Sequence, residues 1–215
     1  GDEAEVWRRN EYGGACCEGR PRVAAVVLAA GAARRMGQDK LLLPLAGKPL
    51  LAHAVDAALG SPAAAVWVVL GSDSEAVRAA LGTRPVRFLD NPEWAEGQAS
   101  SIRAALQAAE EFEGLLFLAG DMPLVSSEHL DRLIERFRMG AAVVWSAWGG
   151  RRGIPALWRR ETFPALGRLR GEAGGRALRG LFPEDAVAVT AEQELLDVDT
   201  AAEYEQARAW LEKSA

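Results

Sequence analysis

Short apolar runs alternate with amphipathic segments along most of this chain, and this alternation restricts the fold more than any other feature. A continuous apolar run of ~4–8 residues is typical of a strand buried on both faces, whereas apolar residues three or four positions apart indicate a helix. Strand–helix alternation at short spacing predicts a mostly parallel, twisted sheet with helices on both faces. We therefore expect an α/β fold with three layers, α/β/α.

The predicted elements begin at the first apolar run and continue to the end of the chain. Strands are expected at 23–31, 64–71, 86–90, 114–121, 141–148 and 185–190. Helices are expected at 49–60, 72–82, 97–111, 126–140 and 200–213. Ser72 and Glu75 have the spacing of a capping box, which predicts the start of the second helix. Ligands bind beyond the carboxyl ends of parallel strands, so the site should lie in the loops that follow them. These loops are 29–40, 71–74, 90–100, 120–125 and 149–155.

Length and composition narrow the class of protein. A chain of 215 residues with 49% hydrophobic and 26% charged residues fits one soluble domain, expected at residues 23–213. Residues 1–22 lack periodicity and are expected to form a flexible N-terminal extension. The net charge of −5 argues against nucleic acid as a partner, and no apolar stretch reaches the ~18–20 residues of a membrane span. Two adjacent cysteines and two isolated histidines argue against disulfides and zinc, so a cytoplasmic setting is expected.

The loop GAARRMGQDK at 31–40 combines small residues with positive charge directly after the first predicted strand. Its glycine spacing fits neither a Walker loop nor a G-x-G-x-x-G turn. Small residues still let main-chain amides approach an anion, and Arg35 and Lys40 supply balancing charge. Lys40 and Lys48 are two of three lysines beside 22 arginines, a choice that suits a compact ammonium at a phosphate. The alternative is a basic surface loop.

Four stretches, in order along the chain, resemble one known family. Residues 28–51, LAAGAARRMGQDKLLLPLAGKPLL, are similar to the signature of MobA-like nucleotidyltransferases. Within that group, residues 91–106, 120–133 and 171–178 resemble molybdenum cofactor cytidylyltransferases, and DVDTAAEY at 197–204 also fits. The resemblance implies a Rossmann-like nucleotide-diphospho-sugar transferase fold.

The resemblance also implies a reaction. The terminal phosphate of molybdopterin, the pterin of the molybdenum cofactor, attacks the α-phosphorus of CTP and releases pyrophosphate, with Mg²⁺ as cofactor. The sequence L-A-A-G at 28–31 favours CTP, because relatives that use GTP usually have L-A-G-G. Phosphoryl transfer is catalysed by positioning and charge neutralisation, which suits Arg35, Lys40 and Asp121 as catalytic residues. The expected nucleotide-binding residues are these three with Leu28, Ala29, Ala30, Gly31, Asn91, Ser100 and Ser101.

Carboxylates late in the chain complete the expected site. Asp121 follows a predicted strand and is the expected first Mg²⁺ ligand, with Asp199 as the second and Asp197 as its rival. The alternative for each is to cap a helix. The expected pterin-binding residues, which match the family stretch G-[DE]-x-G-x-R, are Gly171, Gly174 and Arg176. For these a flexible loop is the alternative, and Asn91, Ser100 and Ser101 could instead serve a turn and a helix start.

Two departures from the family pattern bear on these expectations, the first on the phosphate-binding loop and the second on the acceptor. Ala33 stands where cytidylyltransferases often have glycine, and Ile154 where relatives often have histidine or asparagine. One alternative keeps the fold but uses GTP or another phosphorylated acceptor. Another is a chaperone that binds the cofactor without catalysis and delivers it to a molybdoenzyme, a further candidate partner.

Overall fold

The structure is a computed structural model that describes residues 7–9, 15–17, 21–31 and 40–215. Its centre is a seven-stranded sheet with the order β7-β5-β6-β4-β1-β2-β3. In chain order these strands are β1 (Val23–Ala29), β2 (Ala65–Leu70), β3 (Arg87–Asp90), β4 (Gly114–Ala119), β5 (Val143–Trp148), β6 (Arg151–Arg159) and β7 (Glu184–Ala188). Neighbouring strands are parallel except where β6 pairs with β4 and β5. The predicted mostly parallel sheet is confirmed.

Strand β6 is absent from the predicted elements, because its first half was expected to be a loop at 149–155. The chain reverses at Gly149 and Gly150, whose φ angles are +56° and +80°, and Trp148 then pairs with Arg151. A two-residue hairpin turn with positive φ at both positions strongly favours glycine. The Gly-Gly pair after an apolar strand is therefore the sequence signal for this antiparallel strand.

The described residues form six α-helices. These are α1 (Leu50–Leu59), α2 (Ser74–Leu81), α3 (Gln98–Gln107), α4 (Ser127–Arg138), α5 (Phe163–Gly167) and α6 (Ala201–Lys213). The predicted capping box at Ser72 is wrong, since α2 begins after Asp73 and has no side-chain cap. A capping box does start α6, where Thr200 and Glu203 cap each other's backbone amides.

Side chains of β1 alternate between two hydrophobic cores, one on each face of the sheet. Ala25 and Val27 belong to the core that includes residues of α1, α4 and α6. Ala24 and Val26 belong to the core that includes residues of α3 and α5. This division confirms three layers and explains why β1 reads as a continuous apolar run.

The N-terminal region contributes a short ribbon in which Trp7–Arg9 pairs antiparallel with Ala15–Cys17. The rest of the extension predicted to be flexible, apart from residues 21–22, lies outside the described residues.

Candidate active site

Two adjoining cavities lie beyond the carboxyl ends of β1 and β4. The smaller, about 400 Å³ in volume, is lined in part by six predicted nucleotide-binding residues, Leu28, Ala30, Gly31, Lys40, Ser101 and Asp121. The larger, about 1090 Å³, includes Gly174, Arg176, Asp197 and Asp199 in its wall. Strands β2 and β4 lie on opposite sides of β1, so the cavities occupy the place where an α/β sheet ordinarily binds ligands.

Lys40 is the most deeply buried charged group of the site, with 3% of the residue exposed. Its Nζ donates to Oδ2 of Asp121 at 3.0 Å and to Oδ1 of Asp199 at 2.5 Å. Burial by itself would lower the pKa of the ammonium, but its hydrogen bonds and attraction to Asp199 and Asp121 outweigh burial and raise the pKa. Lys40 therefore stays charged and joins residues that are 81 and 159 positions away in the chain.

Backbone contacts bring the two carboxylates to Lys40. Asp121 lies two residues beyond the end of β4, and its carbonyl oxygen accepts a hydrogen bond from the amide of Val198 at 2.9 Å. The next residue, Asp199, has its amide bonded to Oε1 of Glu203 at 3.0 Å, in the first turn of α6. The capping box of α6 thus also holds one of the predicted metal ligands.

A buried carboxylate anchors the segment that leads to Asp199. Glu194 accepts hydrogen bonds from Oγ of Ser126 at 2.6 Å and from the amide and hydroxyl of Thr190 at 3.1 and 3.0 Å. These hydrogen bonds outweigh the effect of burial and lower its pKa. The anchor fixes the segment to the N-cap of α4 and so positions the acidic wall of the larger cavity.

Asp197, the rival metal ligand, lies on that acidic wall. Asp197 is exposed by surface area, but nearby protein atoms partly desolvate its carboxyl, and this desolvation together with the negative charges of Asp121 and Asp199 raises its pKa to about 6. The Nζ of Lys40 bonds Asp121 and Asp199 but not Asp197. With three carboxylates and one ammonium, this part of the site attracts further positive charge.

The two carboxylates bonded to Lys40 are suited to a small cation. Both present an oxygen to one point, and the ammonium at that point already acts as a cation between them. Among the described residues, no group of three or more His, Cys, Asp or Glu side chains could hold a metal ion. A hard cation such as Mg²⁺ is often bound by one or two carboxylates together with substrate phosphates, so this pair fits it.

The other predicted nucleotide-binding residues lie in several different places. Ala29 points into the core. Asn91 is buried and donates to the hydroxyls of Ser100 and Ser101 at 2.8 and 3.0 Å, while its Oδ1 accepts from the amide of Glu93. Asn91 and Ser100 therefore lie behind Ser101, which faces the smaller cavity. Arg35 lies outside the described residues, and its contact with phosphate stays a prediction.

The segment predicted to bind the pterin packs against the start of α3. The carbonyl of Gly171 accepts from the amide of Ala99 at 3.1 Å. Gly97 has a φ of +112°, and a Cβ there would lie 2.5 Å from the oxygen of Gly171. At Gly175 a Cβ would lie 2.3 Å from the ring of Trp158. These glycines permit the segment to pack closely against α3 and Trp158.

An aromatic wall of the larger cavity was not predicted from the sequence. Trp145, Trp148 and Trp158, three of the seven tryptophans, line it, and the rings of Trp145 and Trp158 meet edge to face at 5.3 Å. Arg151 and Arg152 from β6 also line it. The missed hairpin explains the omission, because β5 and β6 carry all five of these residues.

Two other groups considered from the sequence lie elsewhere. The Nζ of Lys48 bonds Asp56 at 2.7 Å and lines neither cavity, so the expected use of a second lysine near phosphate is not supported. His53 bonds the carbonyl of Leu45, and His129 is fully buried beside Ser146. Across the described residues, no helix combines the length and apolarity that a membrane crossing requires.

Comparison with known proteins assigns the fold and the site to a family. The MobA-like NTP transferase domain matches residues 25–189, which is more than half of the chain. The chain belongs to the MobA-like NTP transferase family. The resemblance found in the motifs is therefore confirmed.

Relatives within this family differ in length and in name. The bifunctional protein GlmU of Syntrophotalea carbinolica is 42% identical over 125 residues, which are 57% of this chain and 27% of that protein. The chain thus spans about a quarter of the length of the GlmU protein it matches. Nicotine blue oxidoreductase of Paenarthrobacter nicotinovorans is 32% identical over 190 residues, covering 84% of this chain and 93% of that protein.

Solved structures share the same fold over nearly the whole chain. A homologue of Rv0371c from Mycobacterium sp. strain JC1 has a TM-score of 0.80 at 29% identity, covering 91% of this chain and 100% of its own. Rv0371c of Mycobacterium tuberculosis, solved in complex with manganese, has a TM-score of 0.75 at 26% identity, covering 87% and 98%. A nucleotidyl transferase from Methanothermobacter thermautotroptrophicus has a TM-score of 0.80 at 25% identity, covering 90% and 99%.

Proposed function

We propose that this MobA-like transferase moves CMP from CTP to the terminal phosphate of molybdopterin, giving the cytosine dinucleotide form of the cofactor and pyrophosphate. One observation carries the proposal. Two cavities meet at the ends of β1 and β4, and Lys40, Asp121 and Asp199 stand together there. A nucleotide in one cavity and an acceptor in the other would bring their phosphates together beside a cation.

The smaller cavity suits the nucleotide. Its wall combines the small residues Ala30 and Gly31 with the Lys40 ammonium, so a triphosphate could approach main chain and positive charge together. Ser101, near the start of α3, also lines this cavity and offers a hydroxyl to ribose or phosphate. Ala30, rather than glycine, at this wall supports CTP as the nucleotide, with GTP as the alternative.

The larger cavity suits the acceptor. Trp148, which is 40% exposed, offers flat apolar surface to a planar heterocycle such as a pterin, whereas Trp145 and Trp158 are 1% and 2% exposed and mainly complete the wall. Arg151, Arg152 and Arg176 stand at the same wall and can bind anionic or carbonyl groups of the acceptor. The cavity volume of about 1090 Å³ exceeds the ~300–1,000 Å³ usual for small-molecule sites, which leaves room for a cofactor larger than a simple sugar phosphate.

The residues divide the chemical work between them. An oxygen of the acceptor phosphate forms a bond to the α-phosphorus, and the bond from that phosphorus to the bridging oxygen breaks as pyrophosphate leaves. Lys40 would neutralise charge on the leaving pyrophosphate. Asp121 and Asp199 would hold Mg²⁺, which supplies further neutralisation of phosphate charge when bound.

Transfer of label tests the proposal. Wild-type protein with Mg²⁺, CTP labelled at the α-phosphate and molybdopterin should give labelled acceptor with one pyrophosphate per label transferred. GTP should be used more slowly, and molybdate-free and molybdenum-loaded acceptors can be compared in the same assay. Absence of turnover with either nucleotide and any phosphorylated acceptor would refute the proposal, and binding of cofactor without turnover would favour the chaperone.

A second candidate function follows from the relative named nicotine blue oxidoreductase, which matches almost end to end. The aromatic wall of the larger cavity also suits a planar dye as substrate. This candidate predicts that the protein consumes a reduced nicotinamide in the presence of a planar quinonoid dye, with no need for CTP. The loss of nicotinamide absorbance measures it directly.

A further inference from the structure

The side chain of Gln98 lies where the two cavities meet. Among the described residues, three line both cavities, namely Leu28, Gln98 and Glu172. In a transfer between two bound molecules, the transferred phosphoryl group must contact both, so it must lie at this junction. Leu28 is apolar and Glu172 carries the same sign of charge as phosphate, so Gln98 alone of the three is a neutral hydrogen-bond donor.

The carboxamide of Gln98 is free to bind a ligand. Gln98 is the first residue of α3 and is half-buried. Within the described part of the chain its side chain has no hydrogen-bond partner. The main-chain amides that follow are already used, since Ala99 donates to Gly171 and Ser100 to Gly97, each at 3.1 Å. The side chain is therefore an available donor at this end of the helix, and unlike the Ser101 hydroxyl it lines both cavities.

Gly174 makes room for this carboxamide. A Cβ built on Gly174 would lie 2.7 Å from Oε1 of Gln98. The backbone at Gly174 is extended, with φ of −113°, a conformation open to any residue. Glycine is therefore favoured only because a side chain would collide with Gln98. The predicted pterin-binding segment thus gives the Gln98 side chain its place at the junction.

We propose that the carboxamide of Gln98 donates a hydrogen bond to a non-bridging oxygen of the α-phosphate as CMP is transferred. This assignment rests on the proposed nucleotidyl transfer. As the acceptor oxygen bonds to phosphorus and the bridging oxygen leaves, a fixed donor at that oxygen stabilises the transition state. A neutral amide does so without competing with Lys40 or a metal ion for the carboxylates.

Phosphorothioates test the contact atom by atom. Sulfur accepts hydrogen bonds weakly, so one diastereomer of CTP with sulfur at the α-phosphorus should react more slowly with wild type than CTP does. In Gln98→Met, turnover of CTP should fall about 100-fold. In this variant the loss of rate caused by sulfur should largely disappear for that diastereomer and should remain for the other diastereomer.

Matched variants separate this role from general effects on the cavity. Gln107, the last residue of α3, is exposed and lines neither cavity, so Gln107→Met should retain wild-type turnover and sulfur penalties. Gly174→Ala should displace the Gln98 amide and lower turnover in the same way without touching Gln98. Its extended backbone makes folding of this variant straightforward, as circular dichroism can verify.

The outcomes distinguish this inference from the proposed function. If wild type turns over and Gln98→Met turns over equally fast, the role of Gln98 is overturned and the transfer reaction stands. The same holds if both sulfur penalties remain in that variant. No turnover by wild type overturns the transfer reaction and this assignment with it.

Discussion

Replacing Lys40 by methionine removes the ammonium between Asp121 and Asp199 while nearly keeping side-chain volume. Removing one partner of a fully buried ion pair costs about 3–5 kcal/mol. Here the lysine side chain is 4% exposed, but the Asp121 and Asp199 side chains are 23% and 39% exposed, so water stabilises the carboxylates left behind. We therefore expect Lys40→Met to lower the free energy of unfolding by about 1–3 kcal/mol.

Urea unfolding followed by tryptophan fluorescence measures this loss. For a chain of this size, the loss of stability corresponds to a fall in melting temperature of about 2–12 °C. The raised pKa of Lys40 means that its stabilisation is fully present below the pKa of an unfolded lysine, ~10.4, and is lost as the pH rises through the higher folded value. Near neutral pH, the loss in free energy of unfolding caused by Lys40→Met should therefore hardly depend on the protonation of the lysine.

Lys48→Met is the matched control. Lys48 bonds Asp56 at 2.7 Å, but its side chain is 34% exposed and Asp56 keeps its bonds to Arg84 at 2.7 and 3.2 Å. Its loss should cost about 0.5 kcal/mol or less and leave turnover unchanged. Addition of Mn²⁺ should recover stability in Lys40→Met, because a divalent ion can fill the place between the carboxylates. Equal stability of wild type and Lys40→Met, with turnover also retained, would refute the reasoning about this cluster.

Three further predictions concern the metal pair, a buried histidine and a glycine. Asp121→Asn should abolish the response of turnover to divalent metal, as metal titration would reveal; an unchanged response would assign Asp121 to structure alone. His129 is buried and its pKa is lowered to about 4 by desolvation, so the unfolded state binds more protons below pH ~6.5 and stability falls as the pH drops. Between pH ~7.5 and ~5, wild type should lose about 2 kcal/mol more than His129→Gln in urea titrations, and parallel pH curves would contradict this. Gly97→Ala should destabilise the protein far more than Gly140→Ala, because both glycines have φ of +112° but only Gly97 lies close to Gly171. Equal falls in melting temperature would show that backbone strain, and not this contact, determines the loss of stability.

The layers of the fold could be predicted because each depends on local pattern. The continuous apolar runs of β1, β2 and β4 require burial on both faces, and this requirement alone specifies a covered parallel sheet. Strand β6 was missed because its sequence, RRGIPALWR, begins with charge and contains glycine and proline. Its pairing depends on the turn at Gly149 and Gly150. This signal consists of two glycines and is not part of an apolar run.

The site was predictable in its residue types but not in their contacts. Family motifs supplied Lys40, Asp121 and Asp199, whereas the bonds that join them span most of the chain and depend on tertiary structure. The motif around Asn91 gave no sign that its amide is satisfied by two serines of α3. Gln98 lies inside the family stretch at 91–106, but its place at the junction depends on the absence of a side chain at Gly174.

The central claim is that a triphosphate binds in the smaller cavity beside Lys40. A crystal structure with Mg²⁺ and the uncleavable α,β-methylene analogue of CTP tests it most directly. The account predicts that the phosphates lie between Gly31, the Lys40 ammonium and the first turn of α3, with the metal ion on Asp121 and Asp199. A nucleotide bound at another surface, with Lys40 still enclosed by both carboxylates and the smaller cavity empty, would contradict it.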